Sequence, residues 1–298
     1  MPKRKSFVSI LICLGLWLLA GPAAAAITWT VASCSGSTFG NSCSLTPSSG
    51  SGTSTATAWS TTANAASGGT NNAMATAYVG SYSGGLGVTN RDGTTSNGGD
   101  GGDTNEGSPT NTIAPEHAVD NNGRYDSVLF SFSNAVQLSQ VQIGYPAAGT
   151  TSCNGVSPCD SDITVLAYTG GGTGNYIPVY PTGNLTGDVF SALTSNGWSF
   201  IGNYADVANA TNQTANVNAG AIKSQFWLVA AYDPAFSSSC KNATTGAASG
   251  NCSNSNDYVK ILSLSGTTPK QAPEPNTVLL LGLAATVGVW GKRRIARR

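Results

Sequence analysis

The chain has 298 residues, with 14 basic and 14 acidic side chains, and only 9% of its residues are charged. That fraction lies far below the ~25% of ordinary soluble domains, so hydroxyls and amides must carry its solubility. Setting aside the eight basic residues and one acid of the two ends leaves six basic and thirteen acidic residues over 27–272, a net charge near −7 that excludes nucleic acid, whose phosphates demand Lys and Arg.

The N-terminus reads as a secretory signal peptide over residues 1–26. Lys3, Arg4 and Lys5 form a basic start, residues 7–19 are apolar, Gly21-Pro22 breaks the run, and residues 23–26 are alanines suited to cleavage. The apolar part is too short to span a bilayer. Cys13 leaves with it.

Residues 27–114 read as a low-complexity Ser/Thr/Gly-rich region with some strands. Residues 27–31 alternate apolar groups with Thr and predict a first strand. Residues 47–70 hold small residues and one Trp, Trp59, and fit either a long loop or a strand of small residues. Residues 73–79 have a better pattern, with Met74 and Tyr78 on one face. Residues 90–112 are rich in Gly and Asn with clustered acids, and nothing there offsets the entropy of ordering by burial.

The stronger β pattern begins after the Asn122-Gly123 turn signal. Over 127–133, Val128, Phe130 and Phe132 share one face and the serines with Leu129 take the other, which predicts a half-buried strand. Val141, Ile143 and Tyr145 repeat the device against Gln140, Gln142 and Gly144. Residues 163–168, 198–204 and 258–264 are further strands, the last ending at Gly266. Residues 226–232 are apolar throughout, as in a central strand covered on both faces. No stretch between the two ends has a strong 3.6-residue period. The expected fold class is all-β, an antiparallel β-sandwich or jelly roll with its core in 115–268.

Six cysteines remain after processing: Cys34, Cys43, Cys153, Cys159, Cys240 and Cys252. An even count in an exported chain predicts disulfides. Proximity selects Cys34–Cys43, Cys153–Cys159 and Cys240–Cys252. A metal site is the rival, but the Cys-x-x-Cys pairs of zinc modules are missing.

His117 is the single histidine, so any Ser-His-Asp site would have to use it. There is no Gly-x-Ser-x-Gly elbow, and a turn or surface role is the plainer reading. Asp100, Asp103 and Glu106 lie among Gly, Asn and Thr, and Asp120-Asn121-Asn122 follows. Calcium takes six to eight such oxygens from flexible loops, so calcium is the expected cofactor if there is one. A solvated acidic loop explains the same residues, and the EF-hand spacing is absent.

The C-terminus, 269–298, carries three signals in a row. Pro273, Glu274 and Pro275 stop any strand or helix. Residues 277–290 are apolar, and five basic residues fall in the last seven, a cluster the cytoplasmic face attracts. As a helix the run is roughly 21 Å long, short of the ~30 Å hydrocarbon core. A buried terminal helix is the rival reading, but the chain before it is all-β and the basic end suits no core.

This tripartite end resembles the PEP-CTERM sorting signal of bacterial surface proteins. The segment from Pro115 to Asn121, Tyr125-Asp126, the Phe130/Phe132 strand and residues 226–232 also look like the body of such proteins. The resemblance implies that an exosortase recognises and cleaves this signal, with Pro273, Glu274 and Pro275 as its sorting motif. It further implies a C-terminal transmembrane sorting helix that holds the precursor in the membrane, delivery to the cell surface, and an exopolysaccharide-rich setting. It implies no enzyme activity. The expected role is therefore a structural or extracellular-matrix one. The alternative is a carbohydrate-binding β-sandwich module, with or without calcium, using exposed aromatics such as Trp198 or Tyr176.

Overall fold

The computed structural model describes residues 26–34, 42–50, 52–61, 73–89, 117–121, 124–150, 160–170, 185–252 and 257–268. The signal segment, Asp100, Asp103 and Glu106, Cys153 and Cys159, Tyr176, and the Pro273–Pro275 motif with the apolar run expected to be a sorting helix lie outside them. Among the described residues no helix is long and apolar enough to cross a membrane.

The described residues form fifteen strands in order. They are β1 (Ile27–Cys34), β2 (Cys43–Pro47), β3 (Ser54–Thr61), β4 (Met74–Thr76), β5 (Tyr78–Tyr82), β6 (Gly85–Thr89), β7 (Val119–Asp120) and β8 (Asp126–Tyr145). After these come β9 (Ile163–Tyr168), β10 (Trp198–Ala205), β11 (Thr214–Asn216), β12 (Ser224–Ala231), β13 (Ser239–Asn242), β14 (Ala248–Asn251) and β15 (Tyr258–Thr267). All helical turns described are short 3-10 pieces, the longest being Phe190–Asn196.

The fold is all-β and almost entirely antiparallel; β10 and β13 make a parallel pair. The strand β8 organises it. Its first half pairs with β3 and β12, from Ser60↔Asp126 to Ser54↔Phe132 on one side and Phe226↔Ser131 to Ala230↔Ser127 on the other. Its second half pairs with β15, from Lys260↔Tyr145 to Thr267↔Gln137. Because β3 pairs with β2, β2 with β1 and β1 with β15, the ladder closes into a ring of five strands. An odd ring of antiparallel straight strands cannot close, so β8 must bend. The bend lies where the register slips, as β12 steps from Phe226 to Ser224 while β8 runs from Ser131 to Val136.

The division expected at residue 115 is not how the strands pair. Of residues 27–89, β1 and β6 pair with β15, β3 pairs with β8, and β2 lies between β1 and β3; all share the core of β8 and β15. Residues 54–61 form a strand, not a loop, because small side chains let β3 lie flat between β2 and β8 with Trp59 buried. The strand at 141–145 is also not separate; it is the continuation of β8.

Two apolar layers result. Val128, Phe130 and Phe132 of β8 point into the main core with Trp227 and Val229 of β12. Leu129, Phe226, Leu228 and Ala230 point the other way, against Leu185, Phe190 and Leu193. The apolar run of β12 therefore is a central strand covered on both faces. β8 was expected to be half-buried there, but Ser127 and Ser131 are buried as well. The 185–196 segment covers that second face, and nothing in the local alternation announces it.

Two of the three expected disulfides are seen. Cys34 and Cys43 face each other across β1 and β2. Cys240 and Cys252 clip the β13–β14 hairpin. Loops this short gain roughly 2–3 kcal/mol each in the chain-entropy picture.

Candidate functional site

Three places in the fold gather polar chemistry. The first is a carboxylate cluster where β9, β10 and β15 meet. Asp160 and Asp162 precede β9, Asp206 follows β10, and Asp257 precedes β15. Ile163 pairs with Tyr204, which brings Asp162 to Asp206, and a bridge from Asp160 to Asp257 closes the group. Asp160, Asp162 and Asp206 each place a carboxylate oxygen within 4.8 Å of the others, so these are the described residues with oxygen chemistry suited to a hard cation.

Much of that oxygen is already engaged. Asp162 Oδ1 accepts the Asp206 N–H at 2.8 Å, and Asp257 Oδ1 accepts the Asp162 N–H at 2.8 Å. Asp257 Oδ2 accepts Asn121 Nδ2 at 2.7 Å. Burial, then the charges of Asp162 and Asp160, raises the Asp257 pKa well above the ordinary carboxylate range, although its hydrogen bonds pull the other way. Burial likewise raises Asp206, aided by Asp160. Nearby Asp233 is pushed up to about 7 by burial; its Oδ1 accepts the Ala235 N–H while Oδ2 has no hydrogen-bond partner. The cluster is a strand-end clip held by backbone N–H groups. Cys240 and Cys252 also lie beside Asp162, but their disulfide removes the thiolates a metal would need.

The second place surrounds His117. Its Nδ1 and the Thr89 hydroxyl are 2.8 Å apart, and its ring stacks on Tyr82 at 4.5 Å. Burial, then the charge of Lys260, lowers its pKa to about 4, so the imidazole is neutral near pH 7. The residue has φ 64, and a side chain on Gly87 would collide with its carbonyl oxygen. Lys260 Nζ lies 5.3 Å from the Tyr82 ring centre and 5.0 Å from that of Tyr145. These contacts suit a packed polar corner rather than a proton relay.

The third place is a groove on the outer face of β1, β15, β8 and β11. Thr28 faces Ser265, Ser265 faces Gln140, and Gln140 faces Asn216. Two residues away on each strand, Thr30 faces Ser263, Ser263 faces Gln142, and Gln142 faces Thr214. Between these rows runs a third, Trp29–Leu264–Val141–Ala215, wholly buried in the main core. The period of two along each strand thus puts one row in and its neighbours out, and the buried row locks the register. With Thr211, Asn212 and Thr244 the groove encloses about 410 Å³, and among the described residues none of its lining side chains is charged or aromatic.

Its side chains are pre-set by one another. Thr28 Oγ1 and Ser265 Oγ are 3.0 Å apart. Gln140 Nε2 donates to Asn216 Oδ1 at 3.0 Å, and Ser263 Oγ donates to Gln142 Oε1 at 2.8 Å. The far ends are anchored to backbone, Gln142 Nε2 to the Asn212 carbonyl at 3.2 Å and Asn216 Nδ2 to the Thr244 carbonyl.

The residues singled out from sequence divide accordingly. Asn121 joins the carboxylate cluster, while its neighbour Asp120 is buried in β7. Trp198, expected as an exposed aromatic, is 3% exposed and packs against Tyr168; the apolar layer under residues 185–196 claims it. Asp162, Asp206 and Asp257 were missed, because acids scattered over a hundred residues show no spacing. The groove had a signal, the Gln140/Gln142 and Thr28/Thr30 alternation. Comparison of the chain with known protein families, with curated proteins and with solved structures finds no match.

Proposed function

We propose that this is an exported bacterial surface protein, a disulfide-clipped β-sandwich delivered through its Pro273-Glu274-Pro275 tail to a structural, matrix-associated role. The observation that carries the reading is the pair of disulfides at hairpin ends, since such bonds persist in oxidising compartments. The basic start, the alanine cleavage site and the tripartite tail support export and sorting from the sequence side. The uncharged lining of the groove suits a binding or scaffolding surface, and His117 is stacked on Tyr82 with its pKa lowered to about 4.

The test is localisation of a tagged copy in cells with and without the sorting enzyme, together with mass spectrometry of surface material. The expected product lacks residues 292–298 and reaches the surface only when the enzyme is present. Glu274→Ala should leave the precursor in the inner membrane. Surface material that keeps an intact Arg298 terminus overturns the reading.

A further inference from the structure

We infer that the groove across β1, β15, β8 and β11 is a binding site for a neutral polysaccharide chain. Four classes of occupant compete for it, and the lining chemistry separates them. A nucleic acid or acidic polymer needs Lys or Arg, and the described lining has neither. A cation needs carboxylates, which are equally absent. A protein partner needs buried aromatic or aliphatic anchors at the centre of the contact, and here the apolar row points inward. What remains is a ligand that is itself uncharged and dense in hydroxyl groups.

The geometry fits such a ligand. Neighbouring strands are about 4.8 Å apart, and rows two residues apart are separated by roughly 6.7 Å, so donors and acceptors form a regular grid. Each carboxamide offers both a donor and an acceptor. After donating one N–H to Asn216, Gln140 keeps Oε1 and a second N–H for a ligand. The bonds to the Asn212 and Thr244 carbonyls hold Gln142 and Asn216 in place, which lowers the entropy lost on binding. Without an aromatic platform a single sugar unit binds weakly, and a polymer gains by engaging successive rows and several protein copies.

The inference deepens the surface-protein reading but does not need the sorting step, so the two fail separately. The exported protein, purified as processed, is run in affinity gels containing dextran, mannan, galactan or a β-1,3-glucan, with polygalacturonate as the acidic control. Retardation by at least one neutral polymer is expected, unchanged when salt is raised about tenfold, because no phosphate or carboxylate contact is broken. Gln140→Ala with Asn216→Ala, both at exposed positions, should weaken it roughly tenfold or more. Gln225→Ala, an exposed amide outside the groove, should leave it unchanged. Circular dichroism of each variant shows that the fold is kept. No retardation by any neutral polymer, retardation by polygalacturonate alone, or binding that survives the double substitution each overturns the proposal. So does self-association that the double substitution abolishes, since the groove would then belong to a second copy of the chain.

Discussion

Asn121 and Asp257, 136 residues apart in the chain, hold each other by two reciprocal hydrogen bonds. Asn121 Nδ2 donates to Asp257 Oδ2 at 2.7 Å, and the Asp257 N–H donates to Asn121 Oδ1 at 2.8 Å. The same amide also donates to the Tyr232 carbonyl at 3.1 Å. One side chain thus ties the end of β7 to the starts of β15 and the end of β12.

Removing that tie leaves Asp257 Oδ2 and the Asp257 N–H without their Asn121 partner. Asn121→Ala is expected to destabilise the fold by about 1–3 kcal/mol, the range for buried polar groups left unsatisfied. Asn121→Asp should cost more, because it sets a second carboxylate against Asp257. Denaturant unfolding of the variants measures both, and a change under about 0.5 kcal/mol would contradict the assignment.

Asp233 and His117 pull the pH profile in opposite directions. Asp233 has a folded pKa raised to about 7. Between about 4 and 7 the unfolded chain has lost that proton while the folded one keeps it, so stability falls as pH rises. His117 has a folded pKa lowered to about 4, so between about 4 and 6.5 it makes stability rise with pH. Asp257 and Asp206, also raised, act with Asp233. Asp233→Asn should therefore make the midpoint-versus-pH curve climb more steeply, or fall less, and should stabilise the protein at pH 8 by on the order of 2–4 kcal/mol. His117→Asn, which tolerates the left-handed backbone, should make the fall with pH steeper. Parallel curves for wild type and both variants would refute the assignment.

The disulfides should separate in their effects. Cys240→Ser with Cys252→Ser is expected to cost about 2–3 kcal/mol and to loosen β13–β14, which form one end of the strand order. Cys34→Ser with Cys43→Ser opens a pair inside the ring and should cost at least as much. Non-reducing peptide maps of the exported protein should show both links, and Cys153 joined to Cys159 as the third. Free thiols at these positions would remove the case for an oxidising compartment.

Much of this architecture was legible wherever one residue faced water and the next faced the core. Residues 163–168 and the covered strand at 226–232 follow from their patterns alone, and so does the inward set Val128, Phe130 and Phe132. The reading lost track where burial came from distant chain. Ser127 and Ser131 look solvent-facing until residues 185–196 cover their side of the sheet, and the same layer hides Trp198. β3 was ambiguous because Ala, Ser and Thr carry no amphipathic contrast. The continuity of β8 through its bend was invisible for a related reason, since a bulge interrupts the alternation that marks a strand. Of the candidate sites, the grid could be half read from Gln140 and Gln142. The partners Ser265 and Asn216 are set by register, which a single sequence does not print.

The pairing of the first strand with the last has a mechanical consequence. Ile27 lies opposite Gly266, so the point where β1 begins and the point where β15 ends sit side by side. A pull applied through these two ends loads the β1–β15 bonds one after another from that point, as a zip opens, instead of shearing them all at once. A load entering through the groove bears on the middle of β1, β15, β8 and β11 together. A load entering through that face would therefore be shared across four strands, and the fold would yield later than when pulled by the ends of β1 and β15.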